Sequence, residues 1–176
     1  MRILLLFTLF IVNYSVISCK KRQLRINGCN GLPIILTEYT KNDSIYFLAP
    51  NVFLPGNEND ANSNFNIFIN KGELTHLKIY KNRKLVFTST DILNGWNGKY
   101  AGKTSSTGNY KYEVYLITDA GKEIELEGEV TLINPDEYDN KLVKVDNCES
   151  CIFPDMIDPY LGAIYYTSAE NIITCN

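Results

Sequence analysis

The residues able to do chemistry in this chain are few. Cys29, Cys148, Cys151 and Cys175 form an even set once Cys19 is considered apart. In an oxidising compartment such a set forms two disulfides. The favoured pairing joins Cys29 to one member of the Cys148/Cys151 pair and Cys175 to the other. A four-cysteine zinc site is geometrically open to the same residues. "CESC" has redox spacing, but the strand–helix unit that such motifs open is not evident around it. The single histidine, His76, sits in a strand pattern with no nucleophile in sequence to serve, so it reads as an exposed strand residue. No phosphate loop or dinucleotide fingerprint occurs. The polar stretch "GNENDANSN" offers oxygen ligands at Asn57, Glu58, Asn59, Asp60 and Asn62, a candidate weak calcium site, since only two of those side chains are charged. Asx turns explain the same composition.

These residues must be held by something. The 176 residues are 45% apolar, enough for one core, and carry 12 Tyr and 8 Phe. This balance favours a β-rich domain outside the cytoplasm. The net charge of -3 gives no reason to expect a nucleic-acid partner.

The chain opens as a processing signal. Arg2 precedes "ILLLFTLFIV", an apolar run too short to span a bilayer comfortably. "SVISC" follows. It resembles the lipobox of bacterial lipoproteins, and the resemblance implies cleavage after Ser18 and lipidation of Cys19. An ordinary secretory signal is the alternative. The expected division is a signal peptide over 1–18, a tether with first strands over 19–45, a β-sandwich over 46–133, and a cysteine-containing extension over 134–176. Loss of 1–18 removes Arg2 and no acidic residue, moving the net charge from -3 to -4. Lys20, Lys21, Arg22 and Arg25 would lie beside the lipid, where a basic tether can pair with anionic headgroups.

Strand signals fill the mature chain. "LRINGCNGLPIILTEY" reads as a short strand, a turn at Asn30–Gly31 and a second strand ending near Thr37. "IYFLAPNVFLP" is extended and punctuated by Pro50 and Pro55, and "FNIFI" alternates as a strand. "THLKIYKNRKLVFTS" reads as a hairpin. In "YKYEVYLIT", Tyr110, Tyr112, Val114 and Leu116 share one face, and Lys111, Glu113, Tyr115 and Ile117 the other. "DAGK" is a hairpin turn, and "EIELEGEVTLI" the returning strand. No stretch of helical period appears before residue 135. The expectation is an all-β, antiparallel, immunoglobulin-like sandwich with a loop-rich, disulfide-pinned C-terminal extension.

Five motifs stand in order: "PNVFLPGNENDANSNFNIF", "LKIYKNRKLVF", "GWNGKYAGK", "SSTGNYKYEVYL" and "GEVTLI". This series resembles the gliding-motility-associated C-terminal domain, the type B sorting domain of the type IX secretion system, over about residues 46–133. The resemblance implies structural roles for Phe53, Phe87, Trp96, Gly98, Gly108, Tyr110, Tyr112 and Gly128, with Trp96 closing an open edge of the core. The chain departs from the family in having Asn97 where Asp is usual, fewer carboxylates in the polar loop, and residues 134–176 after the matching region; the basic residues after Cys19 also stand where many surface-exposed lipoproteins of bacteria with that secretion system carry an acidic run. The reading that follows is a non-enzymatic lipoprotein anchored in the cell envelope, at the outer membrane or cell surface, whose sandwich meets an envelope or secretion-machinery partner. A type IX export substrate whose sandwich is the export signal is the alternative. A small secreted inhibitor or enzyme built on the C-terminal cysteine region is the third.

Overall fold

The computed structural model describes residues 25–27, 29, 34–40, 43–56, 60–137, 143–146, 150–158, 160–166 and 173–175. The fold is all-β, with no α-helix among the described residues. The strands are β1 (Arg25–Asn27), β2 (Ile34–Thr40), β3 (Asp43–Ala49), β4 (Val52–Phe53), β5 (Phe68–Ile69), β6 (Glu73–Lys81), β7 (Lys84–Ser89), β8 (Lys99–Tyr100), β9 (Lys103–Thr104), β10 (Gly108–Ile117), β11 (Glu123–Leu132), β12 (Val143–Asp146), β13 (Ile157–Asp158), β14 (Ala163–Ile164) and β15 (Ile173–Cys175).

Local chemistry sets the long hairpins. Asn82 and Arg83 both adopt positive φ, at 49° and 71°, which makes the tight turn between β6 and β7. Between β10 and β11, Gly121 donates to Thr118 O and Thr118 N–H to Lys122 O, closing the "DAGK" turn. The five-stranded sheet has the order β4-β11-β10-β6-β7, and a three-stranded sheet the order β2-β3-β5.

The expected face of β10 is the buried one: Tyr110, Tyr112, Val114 and Leu116 are at most 2% exposed. They meet Leu77 and Ile79 of β6, Ile124, Val130 and Leu132 of β11, and Phe47 and Ala49 of β3, so the two sheets enclose one core. A second core lies on the other face of β3. There Leu48, Val52, Leu54, Ile133 and Val145 pack with Cys29, Cys151, Ile152, Phe153, Met156 and Ile157. Residues 47–49 and 51–54 are at most 1% exposed because alternate side chains enter alternate cores. The C-terminal segment is thus a third layer against the middle sheet.

Two expectations need correction. The strands are not all antiparallel, for β4 runs parallel to β11. The reason is that the chain changes sheet at Pro50–Asn51: Pro50 has no N–H to continue the β3 ladder, and β4 joins the opposite sheet. The sheet β1-β12-β15 is parallel throughout. β2 also runs past its expected end at Thr37: it pairs with β3 through Thr40, while β1 pairs with β12. The turn expected at Asn30–Gly31 lies outside the described residues.

Among the described residues, the buried hydroxyl Tyr112 Oη in the main core finds no partner. Its ring packs on Phe65 at 5.0 Å between centroids. Burial pushes its phenol well above the usual tyrosine range. The folded state therefore favours the protonated phenol, a contribution present below the unfolded value of about 10 and lost as pH rises above it. Tyr112→Phe removes a desolvated hydroxyl without opening a void. Its stability at pH 7, by urea unfolding, should be unchanged or raised by up to about 1 kcal/mol. Its loss of stability above pH 10 should be shallower than in the parent. A clear destabilisation at pH 7 would show that the hydroxyl has a partner.

Candidate functional site

The aromatic residues of the motif series are brought together, but as core. Trp96 is fully buried. Its ring lies 5.3 Å from Phe53 and 4.8 Å from Tyr110 between centroids, and its Nε1–H donates to Lys99 O at 3.1 Å. It therefore sits inside the core rather than closing an open edge. The cause is the pairing of Phe65 with Trp96, whose amides donate to each other's carbonyls at 2.8 and 3.1 Å and draw the tryptophan inward. Gly95 permits this close approach: a Cβ there would stand 2.6 Å from Phe65 O. Gly98 has φ of 74°, and a Cβ would collide with Pro55 at 2.5 Å, so the turn after Trp96 also requires glycine. Phe87 is half-buried against the core, and Gly108 begins β10. Gly128 of β11 stands opposite Tyr112.

Lys81 lies over the Tyr110 ring, with Nζ 4.2 Å from the centroid, and donates to Asn109 O at 3.0 Å. Burial lowers its pKa, while the Glu137 carboxylate acts the other way. Tyr110 Oη donates to Ser106 O at 2.8 Å, and burial raises its pKa. The outer face of the sheet is polar. Glu123, Glu125, Glu127 and Glu129 alternate along β11, and Tyr115 Oη donates to Glu125 Oε2 at 2.7 Å. His76 is half-buried, not exposed as expected, because its ring stacks on Tyr115 at 4.8 Å.

Of the cysteines, Cys29 and Cys151 form a disulfide that closes 122 residues, with Cα atoms 5.2 Å apart. Both are buried in the second core. A four-cysteine zinc site is thereby removed, since two of its ligands are bonded to each other. Cys175 belongs to β15, opposite Val145. Cys19 and Cys148 lie outside the described residues. So do Asn57, Glu58 and Asn59 of the candidate calcium loop, while Asp60 opens the 3-10 turn Asp60–Asn62. Asn62 is fully buried; its Oδ1 accepts from Asp155 N–H at 2.8 Å and its carbonyl from Leu54 N–H at 2.8 Å. This residue ties the loop to the C-terminal segment.

Asn51 makes the parallel connection, a role beyond the expectations drawn from the sequence. Its Oδ1 accepts from Ile152 N–H at 2.7 Å, and its Nδ2 donates to Ser150 O at 2.7 Å. Its own N–H donates to Ile152 O at 3.1 Å, and its carbonyl accepts from Thr131 N–H at 2.8 Å. The side-chain amide thus pairs like a strand backbone with residues 150–152. A polar residue inside the apolar run "IYFLAPNVFLP" was the available signal.

Comparisons of the chain with protein-family models, with curated proteins and with solved structures find no match.

What the locked C-terminal segment displays is apolar. The β13–β14 hairpin leaves Tyr160 92% exposed, Leu161 68%, Tyr165 51% and Tyr166 71%. Tyr46 supports it, its hydroxyl donating to Tyr160 O at 3.0 Å and its ring lying against Gly162. Beside it a groove of about 560 Å³ is lined by Tyr46, Asn66–Asn70, Ile92, Leu93 and Tyr160, with no charged side chain.

If Asn51 joins the layers, Asn51→Ala leaves the buried Ile152 amide without the acceptor it has in the parent. Denaturant unfolding should show a loss of about 1–3 kcal/mol. Asn51→Asp should cost more at pH 7, because a carboxylate would face Ser150 O, and should recover in part as the pH falls and the buried acid is protonated. A loss below about 0.5 kcal/mol for Asn51→Ala would show that the junction is not held by this residue.

Proposed function

We propose that this protein is a non-enzymatic lipoprotein of the cell envelope, whose β-sandwich acts as an interaction module. The observation that carries the reading is the exposed aromatic hairpin. Tyr160, Leu161, Tyr165 and Tyr166 project from a segment fastened by the Cys29–Cys151 disulfide and by Asn51. Contiguous exposed apolar side chains on a rigid support mark a surface made to be covered, and tyrosines are favoured there because each ring supplies much contact area at low entropic cost.

The disulfide supports residence outside the cytoplasm, where such bonds persist. "SVISC" after a short apolar run supports an acyl anchor on Cys19. Each buried acyl CH₂ contributes about 0.8 kcal/mol, so several chains hold a protein firmly to a membrane. A second reading, a type IX export substrate, is favoured by the five ordered motifs over about residues 46–133.

Lipid labelling in a bacterial host separates them. The full chain should incorporate palmitate and fractionate with membranes, and Cys19→Ser should abolish the label and release or arrest the protein. Equal labelling and retention in the variant would refute the anchor. Release of the mature chain without residues 46–133 would favour the export reading.

A further inference from the structure

The groove beside the hairpin has the position and shape of a missing strand. The strand edge there begins a pairing that it does not finish. Phe65 pairs with Trp96 in the antiparallel sense. Continued, that pairing would set Ile67 against Asn94 and Ile69 against Ile92. Instead the chain curls away. Leu93 N–H donates to Asp91 Oδ1 at 2.9 Å and Asn94 N–H to Asp91 O at 3.1 Å, so both amides are satisfied within their own turn. Ser89 braces the turn, its Oγ accepting from Asp91 N–H at 3.1 Å. The space left between Ile67–Ile69 and Ile92–Leu93 is the groove.

The direction of the backbone agrees. Asn70 N–H goes to Tyr46 O on β3, whereas Phe65 N–H goes to Trp96 O. Backbone groups alternate along an extended chain, so two residues at odd separation point to opposite edges. The same alternation turns the amides and carbonyls of Ile67 and Ile69 away from β3 and toward the groove. β5 is the end strand of its sheet.

The two edges of the five-stranded sheet are treated differently. β7, the edge of the five-stranded sheet, begins with Lys84 after Arg83, and its pairing with β6 is irregular between Ile79 and Tyr80. Charge and irregularity are how proteins blunt an edge. At the opposite edge, β4 is buried. The β5 edge has neither protection. Its flanks are Leu93, 88% exposed, and Tyr160.

We propose that this slot receives an extended, uncharged segment of a partner protein, which adds to β5 as a strand and sets alternate apolar side chains against Ile92–Leu93 and Tyr160. A groove without charge on a chain of net charge -3 selects against charged segments by desolvation. The proposal rests on the interaction-module reading but not on the lipid anchor, so failed palmitate labelling leaves it standing.

The test selects displayed random linear peptides of about eight residues, a strand's length, on the purified, disulfide-intact mature chain. Winners should carry alternating apolar, uncharged residues. Binding should protect the Ile67 and Ile69 amides from hydrogen exchange, and N-methylation of alternate peptide amides should abolish it in one register and spare it in the other. Leu93→Arg, at an exposed position, should keep the melting temperature and weaken binding by at least about tenfold. Thr88→Arg on β7 should leave binding unchanged. No enrichment overturns the proposal, as does binding indifferent to Leu93→Arg or to N-methylation. Protection of the Ile67 and Ile69 amides before any peptide is added also overturns it, since the slot would then be filled by this chain or by a second copy.

Discussion

The structure depends on one stretch of chain that is buried on both sides. From Phe47 to Leu54 alternate side chains enter two different cores, and in the middle Asn51 supplies hydrogen bonds that an apolar residue could not. A strand covered on both faces cannot be left by either layer without exposing the side chains it buries on that face. Full burial of each large apolar side chain contributes about 1.5–3 kcal/mol, so losing one face of β3 removes several such contributions at once. The disulfide from Cys29 to Cys151 acts across the same second core. In the chain-entropy account a closed loop of this length restricts the unfolded chain by about 5 kcal/mol. Asn62, bonded to Leu54 on one side and Asp155 on the other, repeats the connection at the far end of the stretch.

This arrangement explains how a short, exposed apolar hairpin is held in place. The β13–β14 hairpin is short, and a short hairpin alone is marginally stable in water. It is held because Met156 and Ile157 are buried in the second core and because Tyr46 reaches from the middle sheet to Tyr160. Display and packing are therefore coupled through β3. The Phe65–Trp96 pair does the same on the other side, placing the 91–94 turn beside β5 while its indole fills the main core. The aromatic cluster thus shapes the surface without being part of it.

Much of the five-stranded sheet was legible in the sequence, because β6, β7, β10 and the first part of β11 are covered on one face only. The alternation in "YKYEVYLIT" and "EIELEGEVTLI" assigns faces directly, and the turns between long strands carry their own backbone chemistry in Asn82–Arg83 and Gly121. The middle layer was harder to read. An apolar run such as "IYFLAPNVFLP" has no alternation because both faces are buried, so period alone shows extension but not what covers each side. The partners of β1 and of Asn51 are far along the chain, at residues 144–146 and 150–152, and no local pattern encodes such pairings. The hairpin that exposes Tyr160 and Tyr166 has the same cause. Its composition resembles core, and only the third layer's position shows that it faces outward.

If the doubly buried strand couples the two cores, they open as one cooperative unit. Native-state hydrogen exchange measures this directly, because it reports the free energy of opening at single amides. The Ile152 and Asp155 amides, bonded to Asn51 and Asn62, lie in the third layer, and the Val114 amide lies at the centre of the five-stranded sheet. With the disulfide intact, all three should exchange only through global opening, with equal free energies and equal denaturant dependence. Exchange of Ile152 and Asp155 at a distinctly lower free energy, with Val114 still protected, would mean that the third layer opens by itself and would contradict the account.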